Sequence, residues 1–169
     1  EWARDLFHKK VKLPGLTIDP DLGWQILYPV ARVLGLSPED VTAATAMDSS
    51  SQGKKELFAV QSATSDEASF RNTSELLTLK KKNEPTSSSV LRNSMSAFLN
   101  AWDEKRSKDW STSYFKELEE VSRSPDDTYA SNFGERLYPG LCTDESVKNG
   151  KSWLWDHPRI STATLKGYK

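Results

Sequence analysis

Residues 88–106, SSVLRNSMSAFLNAWDEKR, carry the most regular apolar pattern in the sequence. Leu91, Met95, Phe98 and Trp102 recur at steps of four, three and four residues. Side chains at this spacing share one face of an α-helix, so the pattern predicts an amphipathic helix that is buried along one side.

The next stretch, residues 109–122, repeats the pattern with Trp110, Tyr114, Leu118 and Val121 on one face. The polar residues between the two predicted helices are typical of a short connection between antiparallel neighbours. The sequence therefore predicts a central antiparallel helical hairpin at about residues 88–122.

Helix-start signals lie on the N-terminal side of this hairpin. Asp19-Pro20 and Ser37-Pro38 each place a capping side chain before a proline that suits the first helical turn. We expect the helices within residues 19–47 to pack against the hairpin, with Pro29 kinking the first of them or delaying its start. Residues 48–55 are predicted to be loop, and residues 57–63 a short strand or a helix.

The predicted fold is a compact, mainly α-helical single domain over residues 1–169, with at most a small β element. Residues 80–89, with three lysines followed by Asn, Pro and Ser, are predicted to be an exposed loop or hinge. Residues 139–169 are punctuated by Pro and Gly and are predicted to form an irregular C-terminal strap.

The composition disfavours several partners. The 23 basic and 24 acidic residues give a net charge of -1, so no overall positive charge favours nucleic acid or an anionic membrane. No apolar run is long enough for a transmembrane helix, and the first residues do not form a signal peptide, so we expect a soluble protein. The single Cys142 rules out an intrachain disulfide and favours a reducing compartment.

Signatures of metal, cofactor and catalytic chemistry are missing from the sequence. His8 and His157 are the only histidines, and neither has a ligand partner at a metal-binding spacing. Residues 19–26 resemble the opening of an EF-hand loop, but Trp24 and Val30 stand where calcium binding needs Gly and Glu. We therefore predict no metal and no cofactor.

Two further stretches resemble cofactor-binding segments. Residues 133–140 are similar to the haem-binding loop of cytochromes P450, with Tyr138 in place of the ligating cysteine, which excludes haem. Residues 33–41 are similar to the end of the first helix of acyl carrier proteins. That resemblance implies a phosphopantetheine-bearing serine at 49–51, a third possibility for function.

Six tryptophans are present, and Trp153 and Trp155 are two residues apart. In an extended segment these two indoles face the same way and form a platform beside Asp156 and His157. Such a platform would either seal the edge of the core or bind a partner protein. Asp156 and His157 could also act as an acid–base pair.

The leading functional prediction is a non-enzymatic protein-interaction module, in one version an effector-like protein, that binds a partner through Trp153, Trp155, Asp156 and His157. The alternative is an enzyme or small-ligand-binding protein of an unfamiliar family. Its aromatic-lined pocket would lie between helices and be formed by Tyr28, Trp102, Trp110 and Tyr114.

Overall fold

The computed structural model describes residues 1–64, 66–80, 87–99, 104–124, 126–139 and 143–157. Within these ranges the chain forms nine α-helices and no β-strand, which confirms the predicted mainly α-helical fold. None of these helices is both long and apolar enough to cross a membrane. The helices are α1 (Trp2–Phe7), α2 (Pro20–Leu34), α3 (Pro38–Met47), α4 (Ser51–Ser62), α5 (Glu67–Leu77), α6 (Ser88–Phe98), α7 (Glu104–Ser122), α8 (Asp127–Arg136) and α9 (Asp144–Asp156).

Most of these helices begin at a residue whose side chain caps the first turn. A cap oxygen accepts a hydrogen bond from a backbone N–H of the first turn, which otherwise lacks a partner. Asp19 caps α2 in this way, and Ser37 caps α3 in a reciprocal capping box with Asp40. The helix starts predicted at these two positions are therefore confirmed. The other capping residues are Ser50, Asp66, Asp126 and Thr143.

Two local predictions need correction. Helix α2 begins at Pro20 and continues through Pro29, so Pro29 does not delay its start. Helix α4 begins at Ser51, so the predicted loop over residues 48–55 is wrong from that residue onward. The polar residues 51–55 are helical because they form the first turns of a helix whose later residues, including Ala59 and Val60, are buried.

The apolar side chains form two main clusters. The N-terminal cluster comes from α1 to α4, and the C-terminal cluster comes from α5 to α9. The buried members of the N-terminal cluster are Phe7, Trp24, Leu27, Val30, Ala31, Ala44 and Val60. Those of the C-terminal cluster are Leu76, Leu77, Leu91, Met95, Phe98, Trp110, Tyr114, Leu118, Val121, Tyr129, Ala130, Phe133, Leu137 and Trp153.

Helices α4 and α6 form the most extensive helix pair and join the two halves. Ala59 of α4, the C-cap residue Ala63 and Ala97 of α6 form a third, small buried cluster. Their side chains are small, so the two helix backbones can approach closely, and any larger side chain would have to displace a helix.

Helices occupy both halves of the predicted hairpin, as α6 and α7, and α8 packs against both of them. Residues 100–103 and 81–86 lie outside the described residues, so the connection and most of the predicted hinge are not described. The predicted irregular strap is wrong for residues 144–156, which form α9. Gly150 does not break this helix, and it lies beside Phe115 and Tyr138.

Candidate functional site

Helix α9 is attached to α7 by two matching pairs of side chains. Trp153 is 9% exposed, and its ring centroid lies 5.5 Å from that of Phe115. One turn further along each helix, the His157 Nε2 lies 3.6 Å from Glu119 Oε2. Positions four apart lie on the same face of a helix, so 153 and 157 of α9 meet 115 and 119 of α7.

The imidazole of His157 is held against the indole of Trp153. The two rings stack with centroids 4.5 Å apart and an interplanar angle of 20°. The His157 Nδ1 also lies 2.8 Å from the Trp153 carbonyl oxygen, at the C-terminal end of α9. His157 therefore belongs to the partly buried attachment of α9 to α7, and its carboxylate neighbour is Glu119. The contacts of His157 are with Glu119 and the Trp153 carbonyl oxygen, and not with Asp156, so the structure does not support the predicted Asp156–His157 acid–base pair.

Trp155 lies on the opposite face of α9 and is 87% exposed. Each helical residue turns by about 100°, so residues two apart point in nearly opposite directions. The predicted platform of two parallel indoles is therefore wrong, because it assumed an extended segment. Trp155 instead lies among the exposed residues Lys148, Lys151 and Ser152, and these four residues are called the α9 face below.

The predicted aromatic pocket is not formed by the described residues. Trp110 and Tyr114 are buried in the C-terminal cluster, and their polar atoms donate to the carbonyl oxygens of Leu137 (2.7 Å) and Gly134 (2.8 Å). Tyr28 packs instead against the N-terminal cluster and donates a hydrogen bond to Glu56. Burial, followed by the charge of Glu56, raises the pKa of the Tyr28 hydroxyl. Trp102 lies outside the described residues.

The side chain of Asp40 connects α1 to α3. The sequence did not indicate that this carboxylate is buried. Asp40 is completely buried, and it accepts hydrogen bonds from the His8 Nε2 (2.7 Å) and the Ser37 backbone N–H (2.8 Å). Its other charged neighbour is Arg4, at 3.1 Å. Burial raises the pKa of Asp40, but these hydrogen bonds and the Arg4 charge outweigh it and hold the pKa below its usual range. The capping box was visible in the sequence, whereas the contacts from Arg4 and His8 come from a part of the chain more than 30 residues away.

A groove of about 470 Å³ lies where α3, α4 and α5 meet. Its lining combines the apolar side chains of Phe58 and Leu76 with the polar side chains of Gln61, Asn72 and Thr73. Pockets of this volume with a few polar groups suit small ligands. Of the predicted aromatic pocket, the described residues Tyr28, Trp110 and Tyr114 do not line this groove.

The geometry gives little support to a metal site or to the acyl-carrier resemblance. Within the described residues, no group of three or more His, Cys, Asp or Glu side chains is placed to hold a metal ion. Ser50 lies at a helix start, but its hydroxyl oxygen already accepts a hydrogen bond from the Gly53 N–H as the cap of α4. Cys142 lies outside the described residues.

The all-helical architecture agrees with the comparison to known protein families. Residues 1–167 match the family described as ERAP1-like C-terminal domain. No curated protein matches the sequence. Because the match spans nearly the whole chain, this protein belongs to the ERAP1-like C-terminal domain family.

Proposed function

We propose that this chain is a non-enzymatic helical domain that binds another protein through the α9 face, with Trp155 as the central contact. The observation that carries the proposal is the exposure of Trp155, 87%, on a helix whose other side is fixed to the core by Trp153. Exposed tryptophans on rigid elements are enriched at the energetic centres of protein interfaces.

The charge of the α9 face indicates the chemistry of the partner. Among the carboxylates whose side chains the structure describes, none forms an ion pair with Lys148 or Lys151. Two exposed cations beside a large apolar side chain suit a partner surface with an apolar pocket edged by carboxylates. The family description as a C-terminal domain supports a partner that is another domain of an ERAP1-like protein.

Site-specific photo-crosslinking in cells of the natural source tests this proposal. A photoreactive phenylalanine analogue replaces Trp155 in one variant and Val33, 74% exposed on α2, in the control. We expect a discrete protein crosslink from position 155 and not from position 33. Equal crosslinking from both positions, or none from 155, would contradict the proposal.

Direct binding to the crosslinked protein, once it has been identified and purified, gives the quantitative test. Truncating a central interface tryptophan costs about 2 kcal/mol or more, so Trp155→Ala should weaken binding by roughly thirtyfold. Ser152→Ala, on the same exposed face, is the matched control and should bind as the wild type does. Unchanged binding by Trp155→Ala would refute the role of the α9 face.

Small-ligand binding remains the second candidate function, and it is supported by the groove between α3, α4 and α5 rather than by the predicted aromatic pocket. The buried Thr73 and the exposed Asn72 offer a hydroxyl and an amide to a ligand there. A compound that raises the melting temperature of the wild type, but not of Asn72→Leu, would support this candidate. A compound that stabilises both equally would argue against binding at this groove.

A further inference from the structure

A second surface, distinct from the α9 face, lies at the opposite end of the chain. The segment between α1 and α2 folds over Leu6 to form a groove of about 450 Å³, which is called the N-terminal groove below. Aliphatic side chains form much of its wall, and Leu13 and Leu16 are 40% and 43% exposed. A neighbouring groove, lined in part by Ala43 and Met47, shares Lys9 and Ile18 with it, so the apolar surface continues toward α3.

The backbone of this segment is fixed by hydrogen bonds. The N–H groups of Lys10 and Val11 donate to the Asp5 carbonyl oxygen at 2.8 and 3.3 Å, and that of Leu16 donates to the Leu13 carbonyl oxygen at 3.1 Å. Lys9 has a φ of 58°, a left-handed conformation that ends α1 and that costs a lysine about 1–2 kcal/mol relative to the right-handed region. Helix α1 is itself attached to α3 through Arg4, His8 and the buried Asp40. The groove is therefore a formed feature of the fold.

The charged side chains that line the groove, Lys9 and Lys12, are both basic. Residues 9–18 contain Lys9, Lys10 and Lys12 and no acidic residue. No carboxylate of the described residues lies within 4.0 Å of these three ammonium groups. Cations that form no ion pair with the described residues are available to a partner's carboxylates, and the aliphatic wall between them is available to an apolar side chain.

We infer that the N-terminal groove binds an acidic segment of a partner protein in which carboxylates flank an apolar residue. The apolar residue occupies the wall formed by Leu13 and Leu16, and the carboxylates pair with Lys9 and Lys12. The chain's own residues 158–169 do not suit this groove, since they carry Arg159, Lys166 and Lys169 and no acid. The groove wall has no aromatic side chain on which bases could stack, which disfavours single-stranded nucleic acid.

Fluorescence anisotropy with defined peptides tests this inference on the full chain. The probe is a short labelled peptide, amidated at its C-terminus, in which Asp and Glu flank a Leu-Phe pair. One comparison peptide has Lys in place of each acid, and a second has Ser in place of Leu-Phe. We expect only the acidic, apolar peptide to bind, with an affinity that falls as salt is added, because exposed charges are screened.

Two double variants locate the binding site. Lys9→Glu with Lys12→Glu should weaken binding of the acidic peptide at least tenfold, and Leu13→Ser with Leu16→Ser should do the same without changing the charge. Lys105→Glu with Lys108→Glu makes the same change of charge at exposed positions of α7 and should leave binding unchanged, whereas Lys148→Glu with Lys151→Glu tests whether the peptide binds at the α9 face instead. Unaltered melting temperatures verify that each variant is folded.

Three results would overturn the inference. One is the absence of binding by the wild type at about 1 mM protein, the weak end of measurable affinity. The second is equal binding of the acidic and basic peptides. The third is a loss of binding on charge reversal at 148 and 151 rather than at 9 and 12, which would place the peptide on the α9 face. The proposed role of Trp155 is tested separately, because we expect Trp155→Ala to leave the binding of this peptide to the N-terminal groove unchanged.

Discussion

The two tryptophans of α9 should respond in opposite ways to truncation. Trp153 is 9% exposed and contacts Phe115 and His157, whereas Trp155 is 87% exposed. Buried Trp→Ala changes cost about 3–5 kcal/mol. Trp153 lies at the edge of the C-terminal cluster, so we expect Trp153→Ala to lower the free energy of unfolding by about 3 kcal/mol. For a domain of this size, that loss corresponds to a fall in melting temperature of about 6–12 °C.

The matched control is Trp155→Ala on the same helix. Surface substitutions away from special features usually change stability by less than about 0.5 kcal/mol, so this variant should melt within a degree or two of the wild type. Urea unfolding followed by circular dichroism measures both variants, since that signal does not depend on the tryptophans themselves. Acrylamide quenching of fluorescence checks exposure independently, because Trp155→Ala should remove emission that is readily quenched, whereas Trp153→Ala should not. Equal destabilisation by the two changes would refute the helical placement of residues 153 and 155.

The remaining predictions concern the buried polar contacts and the α4–α6 packing. Asp40→Asn should lower the free energy of unfolding by about 3 kcal/mol, as expected when one partner of a buried ion pair is removed. The pKa of Asp40 is lower in the folded protein, so its stabilisation is present above the unfolded pKa and is lost as pH falls through the folded pKa. Urea titrations from neutral to acid pH should therefore show a larger loss in the wild type than in Asp40→Asn, which keeps the lowered pKa values of Asp48 and Asp66. Trp110→Phe should cost about 1–3 kcal/mol, because it leaves the buried Leu137 carbonyl oxygen without the indole donor; chemical denaturation measures it. Ala97→Leu should cost about 1–3 kcal/mol by overpacking the α4–α6 contact, and its melting temperature reports the loss.

Each of these predictions has a result that would contradict it. An Asp40→Asn protein that is as stable as the wild type at neutral pH would show that Arg4 and His8 do not depend on this carboxylate. A Trp110→Phe protein of unchanged stability would argue against the hydrogen bond to Leu137. Ala97→Leu is compared with Ser96→Leu on the exposed side of α6, and equal effects would argue against close packing at Ala97.

The sequence determined the helical class and much of the core. The apolar steps through Leu91, Met95 and Phe98 and through Trp110 and Tyr114 predicted two helices, and all five of these side chains are buried. The caps at Asp19 and Ser37 were also predictable, because capping depends on residues within one turn of each other. Patterns of this kind are local, and they need no knowledge of what packs against them.

The tertiary structure decided the candidate sites. Residues 144–156 carry a weak local signal because of Asn149 and Gly150, and they form a helix that packs against Phe115 of α7. Because this segment is a helix and not an extended strand, the indole of Trp153 is buried and that of Trp155 is exposed. The contacts of Asp40 with Arg4 and His8 likewise join residues that are distant in the sequence. The amino-acid pattern fixes which face of an element is apolar, but only packing between distant elements determines which polar and aromatic groups are buried and which remain available to a partner.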